Sequence, residues 1–184
     1  MCQDLLKKTK KYFLEAIKNG KPIYDFFPRH VAEVEKWAKR ILKNFPQADE
    51  EVVLLSVWLH DIGQADGDYT QDHAIKSEKE ARRFLSSLKL PSEKINQIAH
   101  CVRAHRNKDI KPKTLEAKIV AAADSASHMT DINYLVMLQD GVSKKEVLEK
   151  LDRDYRDIKL IPNLKKDLES LYFAWKKLLE VYPV

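Results

Sequence analysis

Residues 50–63 read EEVVLLSVWLHDIG, and this stretch decides the fold. Seven of the eight residues from 52 to 59 are apolar, so a helix here is apolar around nearly its whole circumference. Asp49 stands where an N-cap residue is needed. A helix without a polar face belongs at the centre of a protein. This one ends on two ionisable residues, His60 and Asp61, and the glycines and aspartates of 63–68 predict a loop after them.

Apolar residues recur at helical spacing on both sides of this central helix. An aromatic turn is expected over 23–28, Thr114 is a plausible cap, and residues 143–146 (SKKE) match a capping box. The alanines of 121–123 predict that the helix expected over 115–129 is a second buried helix that packs closely. The remaining helices are expected over 4–18, from about 29 to 43, over 72–88, from 92 to about 105, after Ser143 and after Pro162.

Composition favours one all-helical domain. The 184 residues include only four glycines, 44% are hydrophobic and 33% are charged, which is typical of helices rather than of a turn-rich sheet. We therefore predict a single domain over 1–184, in which N- and C-terminal helices pack on a core of about 28–130. No internal repeat interrupts it.

Cysteine content and hydropathy predict a cytoplasmic location. Cys2 and Cys101 are too few and too far apart for a disulfide framework or a cysteine-based zinc site. The first residues do not resemble a signal peptide, and no segment approaches the roughly 20 apolar residues of a membrane span. We expect no membrane partner, while the oligomeric state is left open.

The net charge of +5 does not by itself predict a nucleic-acid partner. Lysine and arginine are scattered among 28 acidic residues, whereas a nucleic-acid-binding protein more often clusters them with aromatic residues. A solvated surface is the simpler interpretation. No specific nucleic acid is expected.

Three polar residues are out of place against this apolar background. His60 and Asp61 end the central helix, and Asp124 follows five small or apolar residues. A buried ionised carboxylate costs several kcal/mol unless it is paired or binds a cation. The pattern suggests a shared cation. The structural alternatives are that Asp61 accepts turn hydrogen bonds and that Asp124 pairs with a buried lysine or arginine.

Three sequence motifs carry a family resemblance: RHV at 29–31, VWLHDIG at 57–63 and AAD at 122–124. With these motifs the chain resembles the HD-domain superfamily of metal-dependent phosphohydrolases, of the small bacterial and archaeal type, over about 28–130. The resemblance implies a compact all-α, multi-helix bundle with a metal site between its central helices. It also implies that the protein is an enzyme.

The resemblance assigns roles to individual residues. It implies four ligands of one metal, namely His30, His60, Asp61 and Asp124, with His60 and Asp61 as the catalytic pair. The motifs DHA at 72–74 and VRAH at 102–105 look like the segments of two-metal members. In that case Asp61 bridges to a second metal that is held by His73 and His105.

Helical periodicity gives an independent view of the other histidines. His105 falls on the same face as Ile95, Ile98 and Val102, so it is expected to point inward, whereas His100 is not. For His73, an exposed position at a helix N-terminus is an equal alternative. His128 lies one turn after Asp124, either as a group beside the ligands or, the commoner case, at the surface.

The substrate contacts are less defined. Gln64 stands where many relatives have lysine after HDIG, which puts one phosphate contact in doubt. Arg29, Lys76 and Arg106 lie beside or within one helical turn of the proposed ligands and could replace it, although exposed basic residues are common.

The function implied is hydrolysis of a phosphate ester or pyrophosphate in a nucleotide-like small molecule by metal-activated water. Histidine and carboxylate ligands suit Mn, Fe, Co, Ni or Zn better than Mg alone, as one or two ions. No organic cofactor is required. Two alternatives remain: a di-iron HD-type oxygenase built on the same ligand types, and a helical module that binds a nucleotide without turnover.

Overall fold

A computed structural model describes residues 2–20, 27–68 and 70–183, and within them the chain forms nine α-helices and no strand. A short 3₁₀ helix, Ile62–Gln64, follows the third α-helix. The all-α class predicted from the sequence is confirmed. The α-helices are α1 (Cys2–Asn19), α2 (Phe27–Leu42), α3 (Glu50–Leu59), α4 (His73–Ser87), α5 (Ser92–Ala104), α6 (Leu115–Thr130), α7 (Asn133–Gln139), α8 (Lys144–Ile158) and α9 (Pro162–Val181).

Helix α3 lies at the centre, as its apolar circumference predicts. The carboxylate of Asp49 caps its first turn and accepts a hydrogen bond from the backbone N–H of Val52 at 3.0 Å. Every residue from 52 to 59 is buried. Helices α1, α2, α5 and α6 pack around α3, so each side of it meets apolar partners.

Helix α6 is the second buried helix. Ala121, Ala122 and Ala123 are fully buried, and their small side chains allow α2, α3, α5 and α8 to approach closely. The Thr114 hydroxyl caps its N-terminus by accepting from Ala117 N–H. Because α3 and α6 pack against each other, the polar residues that they carry are brought together.

The remaining helices surround these two. Helix α1 packs on α3, and α9 packs on α8 and α6. The capping box between Ser143 and Glu146 is present at the start of α8. Helix α7 was not predicted, because a seven-residue segment with two buried side chains, Tyr134 and Leu138, is too short to show a periodicity.

One predicted turn is partly wrong. Helix α2 begins at Phe27, so the last two residues of the aromatic turn expected over 23–28 are helical, and the rest of that turn lies outside the described residues. Among the described helices, none combines the length and the apolar character that crossing a membrane requires.

Leu55 on α3 provides a test of this packing. Its side chain is fully buried at the centre of the core. We expect Leu55→Ala to lower the free energy of unfolding by about 2–5 kcal/mol, because the substitution removes buried contacts and leaves a cavity. Chemical denaturation measures this. Leu14→Ala on α1 is the control, since Leu14 is 44% exposed and should change stability by less than about 0.5 kcal/mol. Equal effects would contradict a central α3.

Candidate metal centre

Three helices bring a first group of ligand-type side chains together. His30 lies in the first turn of α2, His60 directly follows α3, and Asp124 lies in the middle of α6. His30 Nε2 is 3.2 Å and His60 Nε2 is 3.6 Å from Asp124 Oδ1. All three residues are buried. Their ligand atoms lie close enough together to hold one metal ion.

Asp61 joins this group to a second one. Its Oδ2 atom lies 3.7 Å from His30 Nε2 and 3.5 Å from His60 Nε2. Its Oδ1 atom lies 3.4 Å from His73 Nε2 and 3.7 Å from His105 Nε2. The two oxygens of one carboxylate therefore face two different sets of histidines. The second set, Asp61, His73 and His105, also has the spacing of a metal site.

Hydrogen bonds on the far side of three rings orient these histidines. The Nδ1 atom of His60 lies 2.7 Å from the carbonyl oxygen of Val57, and that of His105 lies 2.7 Å from Val102 O. A carbonyl only accepts, so both rings carry their proton on Nδ1. His30 Nδ1 lies 3.2 Å from Ser127 Oγ, whose own proton is donated to Asp124 O. In their neutral form, the three rings therefore present an Nε2 lone pair to the carboxylates.

This arrangement fits a divalent metal. Among the described residues, the buried side-chain atoms without a hydrogen-bond partner are His60 Nε2, Asp61 Oδ1 and Asp124 Oδ1. Native proteins rarely leave buried polar atoms unpaired, and lone pairs that face one another repel. A cation between them satisfies all three, and the second nitrogens of the rings are held as is usual for metal-binding histidines.

The pKa of His60 is shifted in the opposite direction from those of His30 and His105. Burial opposes protonation of His60, but the negative charges of Asp61 and Asp124 close to its ring outweigh it and raise its pKa to about 9. Burial lowers the pKa of His30. Burial and the charge of His60 lower the pKa of His105 to about 3. Without a metal, one proton on His60 therefore balances part of the carboxylate charge at neutral pH.

Gly63 allows His73 to reach the cluster. A Cβ atom at Gly63 would lie 2.6 Å from Ser77 N and 2.7 Å from the Lys76 side chain, so only glycine permits this approach. The Gly63 N–H donates to Ser77 Oγ at 2.9 Å. The start of α4 is thereby held against the 3₁₀ helix, and His73, its first residue, faces Asp61.

A cavity of about 320 Å³ opens beside the cluster. Of the four residues predicted to contact substrate, Gln64 and Arg106 line it. Arg106 Nη1 donates to Asp72 Oδ2 at 2.5 Å, which holds the guanidinium at the cavity wall.

The other two predicted substrate residues lie elsewhere. Lys76 Nζ bonds to Asp66 Oδ1 at 2.6 Å and to Asp68 O at 2.8 Å, and its side chain lines a separate cleft beside α1. Arg29 is largely exposed and pairs with Asp131 at 2.9 Å, beside a small hollow next to His30. Asp66 and Asp68 thus hold Lys76 away from the cavity beside the cluster, and Asp131 does the same for Arg29.

Two further histidines behave differently. His100 lies away from the cluster, and its Nε2 accepts a hydrogen bond from Lys113 N–H, consistent with the helix face on which it falls. The expectation that His128 is a surface residue is wrong. Its side chain is 15% exposed, its ring stacks on that of His30 with centroids 5.0 Å apart, and its Nε2 lies 3.6 Å from Asp124 Oδ1.

Sequence reasoning missed the contribution of α8, which closes one side of the cavity. One signal was available: Val147, Leu151 and Ile158 form the buried face of α8, and Asp154 falls at the same helical spacing. Because a buried carboxylate needs a partner, an acidic residue on a buried helix face indicates a candidate functional site. The cavity residues from α8 are Lys150, Arg153, Asp154 and Asp157.

Comparison with known protein families agrees with this geometry. The family described as HD domain matches residues 29–129, more than half of the chain, from the first turn of α2 to the last turn of α6. No solved structure matches the chain. HD domains bind divalent metal ions and are generally metal-dependent hydrolases. The match includes both groups of ligand-type residues, and we conclude that this chain belongs to the HD-domain family.

Proposed function

We propose that this protein is a metal-dependent phosphohydrolase that cleaves a phosphate ester or pyrophosphate bond of a nucleotide-like small molecule. The observation that carries the proposal is the Asp61 carboxylate, whose two oxygens face two separate groups of histidines. A pair of metals bridged by one carboxylate suits phosphoryl transfer, because it can stabilise both the attacking and the leaving oxygen.

We assign the ligands as follows. The first metal is held by His30, His60, Asp61 and Asp124, and the second by Asp61, His73 and His105. Imidazole and carboxylate together suit Mn, Fe, Co, Ni or Zn, with Mg as a further candidate. When bound, such a metal lowers the pKa of a water molecule and polarises the phosphoryl group. His60 and Asp61 are therefore the residues on which catalysis depends most.

Residues of the cavity wall bind and orient the substrate in this proposal. Gln64, Arg106 and Arg153 place an amide and two guanidinium groups around the mouth of the metal cluster. A guanidinium binds two phosphate oxygens at once. Arg153 is exposed, with no hydrogen bond or ion pair to another described residue, so it is available to an anionic ligand.

A di-iron oxygenase is the second candidate, because the same six side chains also suit a carboxylate-bridged iron pair. The cations around the cavity favour a phosphate substrate. A non-catalytic nucleotide-binding module is disfavoured, since both groups of ligand-type side chains are complete and buried or partly buried.

Phosphate release from a panel of nucleotides tests the proposal. We expect release from at least one of them with Mn²⁺ or Co²⁺, loss of activity with a chelator, and recovery when metal is returned. His60→Ala should abolish it, while His100→Ala, which alters a histidine outside the cluster, should retain it. Unchanged rates under argon support hydrolysis. Turnover that requires iron and dioxygen would decide for the oxygenase, and activity in chelated, metal-free protein would contradict both.

Metal affinity should depend on pH through His60. Its pKa of about 9 means that the first metal displaces roughly one proton from His60 below that pH, while burial lowers the pKa of His30 and so reduces its share of the protons displaced. The apparent affinity should therefore fall about tenfold for each unit that the pH falls from 8 to 6. Titration calorimetry in buffers of different ionisation enthalpy measures the proton release. Release of no proton at pH 7 would contradict the raised pKa.

A further inference from the structure

His128 is held by a cation from outside the segment that matches the family. Lys150 of α8 lies with its Nζ 2.8 Å from His128 Nδ1. The same Nζ lies 2.5 and 2.7 Å from the two carboxylate oxygens of Asp154, one turn further along α8. Asp154 also accepts a hydrogen bond from Tyr134 Oη at 2.8 Å and is buried. The ammonium is therefore fixed in place.

This contact determines which ring nitrogen of His128 carries the proton. An ammonium has three donors and no lone pair, so Nδ1 of His128 accepts from it at 2.8 Å, closer than Asp154 Oδ2, which lies 3.5 Å from the same nitrogen. The proton of the neutral ring is then on Nε2. His30, His60 and His105 have the opposite arrangement, because their Nδ1 atoms donate to an oxygen and leave Nε2 bare. His128 presents an N–H where the other three present a lone pair.

The Nε2–H of His128 has no acceptor among the described residues. Asp124 Oδ1, at 3.6 Å, is beyond hydrogen-bonding distance. The side chain lines the cavity beside the metal cluster as well as two smaller ones that adjoin His30 and Gln64. A donor without an acceptor, beside the metal-facing oxygen of Asp124, is suited to an anionic oxygen in that cavity.

We infer that His128 is a substrate-binding residue rather than a metal ligand, and that it donates its Nε2–H to a phosphoryl oxygen. Lys150, held by Asp154, is the positioning residue that fixes the tautomer. The inference rests on the proposed phosphohydrolase function, since it takes the ligand in the cavity to be a phosphoryl group.

The tautomer is tested directly by long-range ¹H–¹⁵N NMR on the zinc-loaded, ¹⁵N-labelled protein. We expect His128 to be protonated on Nε2 and bare on Nδ1, whereas His60 and His105 carry the proton on Nδ1. In Lys150→Met the ammonium is absent and the preference of His128 for Nε2–H should be lost. In Lys150→Arg, which keeps a donor, it should be retained. A bare Nε2 on His128 in the wild-type protein would overturn the inference.

Binding of inorganic phosphate to the manganese-loaded protein tests the role. His128→Leu should retain the metal and bind phosphate at least about tenfold more weakly, since a hydrogen bond to a charged group is lost. His128→Gln, which keeps an N–H near the same place, should stay within about threefold of the wild type. Lys150→Met should weaken phosphate binding although His128 is intact.

The possible failures are distinguishable. Loss of metal in a folded His128→Leu protein would make His128 a ligand and overturn the inference, while the phosphohydrolase proposal stands. Unchanged phosphate affinity in that variant would leave His128 without a substrate role, again without affecting the reaction. Failure of the wild-type protein to bind phosphate or to release it from nucleotides would contradict the inference and the proposed function together.

Discussion

Replacing Asp61 with asparagine is expected to cause the largest loss of metal and of activity. Asp61 is the acidic residue whose two oxygens face both groups of histidines, so one substitution weakens both proposed sites. Substituting a residue that only hydrogen-bonds to a metal ligand already lowers metal affinity by about 10–100-fold. Loss of this shared ligand should therefore weaken metal binding by at least about 100-fold. Bound manganese, measured by elemental analysis after gel filtration, should fall from about two ions per chain to less than one. Phosphate release should fall to background.

Asp157→Asn is the matched control for metal content. Asp157 is also a buried aspartate on the cavity wall, but it bonds to Asn107 and Arg156 and lies in neither group of histidines. We expect its variant to retain the full metal complement. Thermal unfolding of both variants checks that they fold. Full metal content in a folded Asp61→Asn protein would contradict the assignment of Asp61 as a ligand of either metal.

Replacing His105 with alanine is expected to remove one metal and leave the other. His105 belongs to the second group, and its Nε2 lies 3.7 Å from Asp61 Oδ1. Metal content should fall from about two ions towards one, and turnover should slow by about 10–100-fold, because a single metal no longer stabilises both reacting oxygens. His73→Ala alters the other histidine of this group and should give the same stoichiometry. Its side chain is partly exposed, so its removal disturbs the core less.

His100→Ala is the control. His100 lies on α5, the helix that ends next to His105, but it accepts a hydrogen bond from Lys113 outside the cluster. Its metal content and turnover should match those of the wild type. Anomalous scattering from manganese-soaked crystals locates the ions independently. A single peak, with His73 and His105 both turned away from it, would establish a site with one metal and contradict the second assignment.

The helical architecture could be predicted because the signals are local. The apolar run from 52 to 59, the cap at Asp49 and the capping box at Ser143 each act within a turn or two of the chain. Helix α7 escaped prediction because it has seven residues and a half-buried surface, which gives too few positions for a periodicity. The motifs around His30, His60 and Asp124 were sufficient for the family, which the match over 29–129 shows.

The surroundings of the site could not be predicted in the same way. The sequence pattern allowed two roles for His73, a metal ligand or an exposed residue at a helix N-terminus. In the structure His73 faces Asp61, because Gly63 lets α4 approach the 3₁₀ helix. Lys76 was a reasonable phosphate contact by position, yet Asp66 and Asp68 hold it in another cleft. Neighbouring charges decide where a long flexible side chain goes, and such neighbours are set by loop conformation.

The sequence by itself determined that this protein is helical, that α3 and α6 are its buried helices, and that His60, Asp61 and Asp124 are polar residues in an apolar setting. These properties follow from spacing and composition along short segments. Only the tertiary structure decided that the two oxygens of Asp61 face different histidines, and that Lys150 reaches His128. Apart from the neighbouring pair His60 and Asp61, those contacts join residues 12 or more positions apart in the chain. Their distances depend on how whole helices pack, which no local pattern encodes.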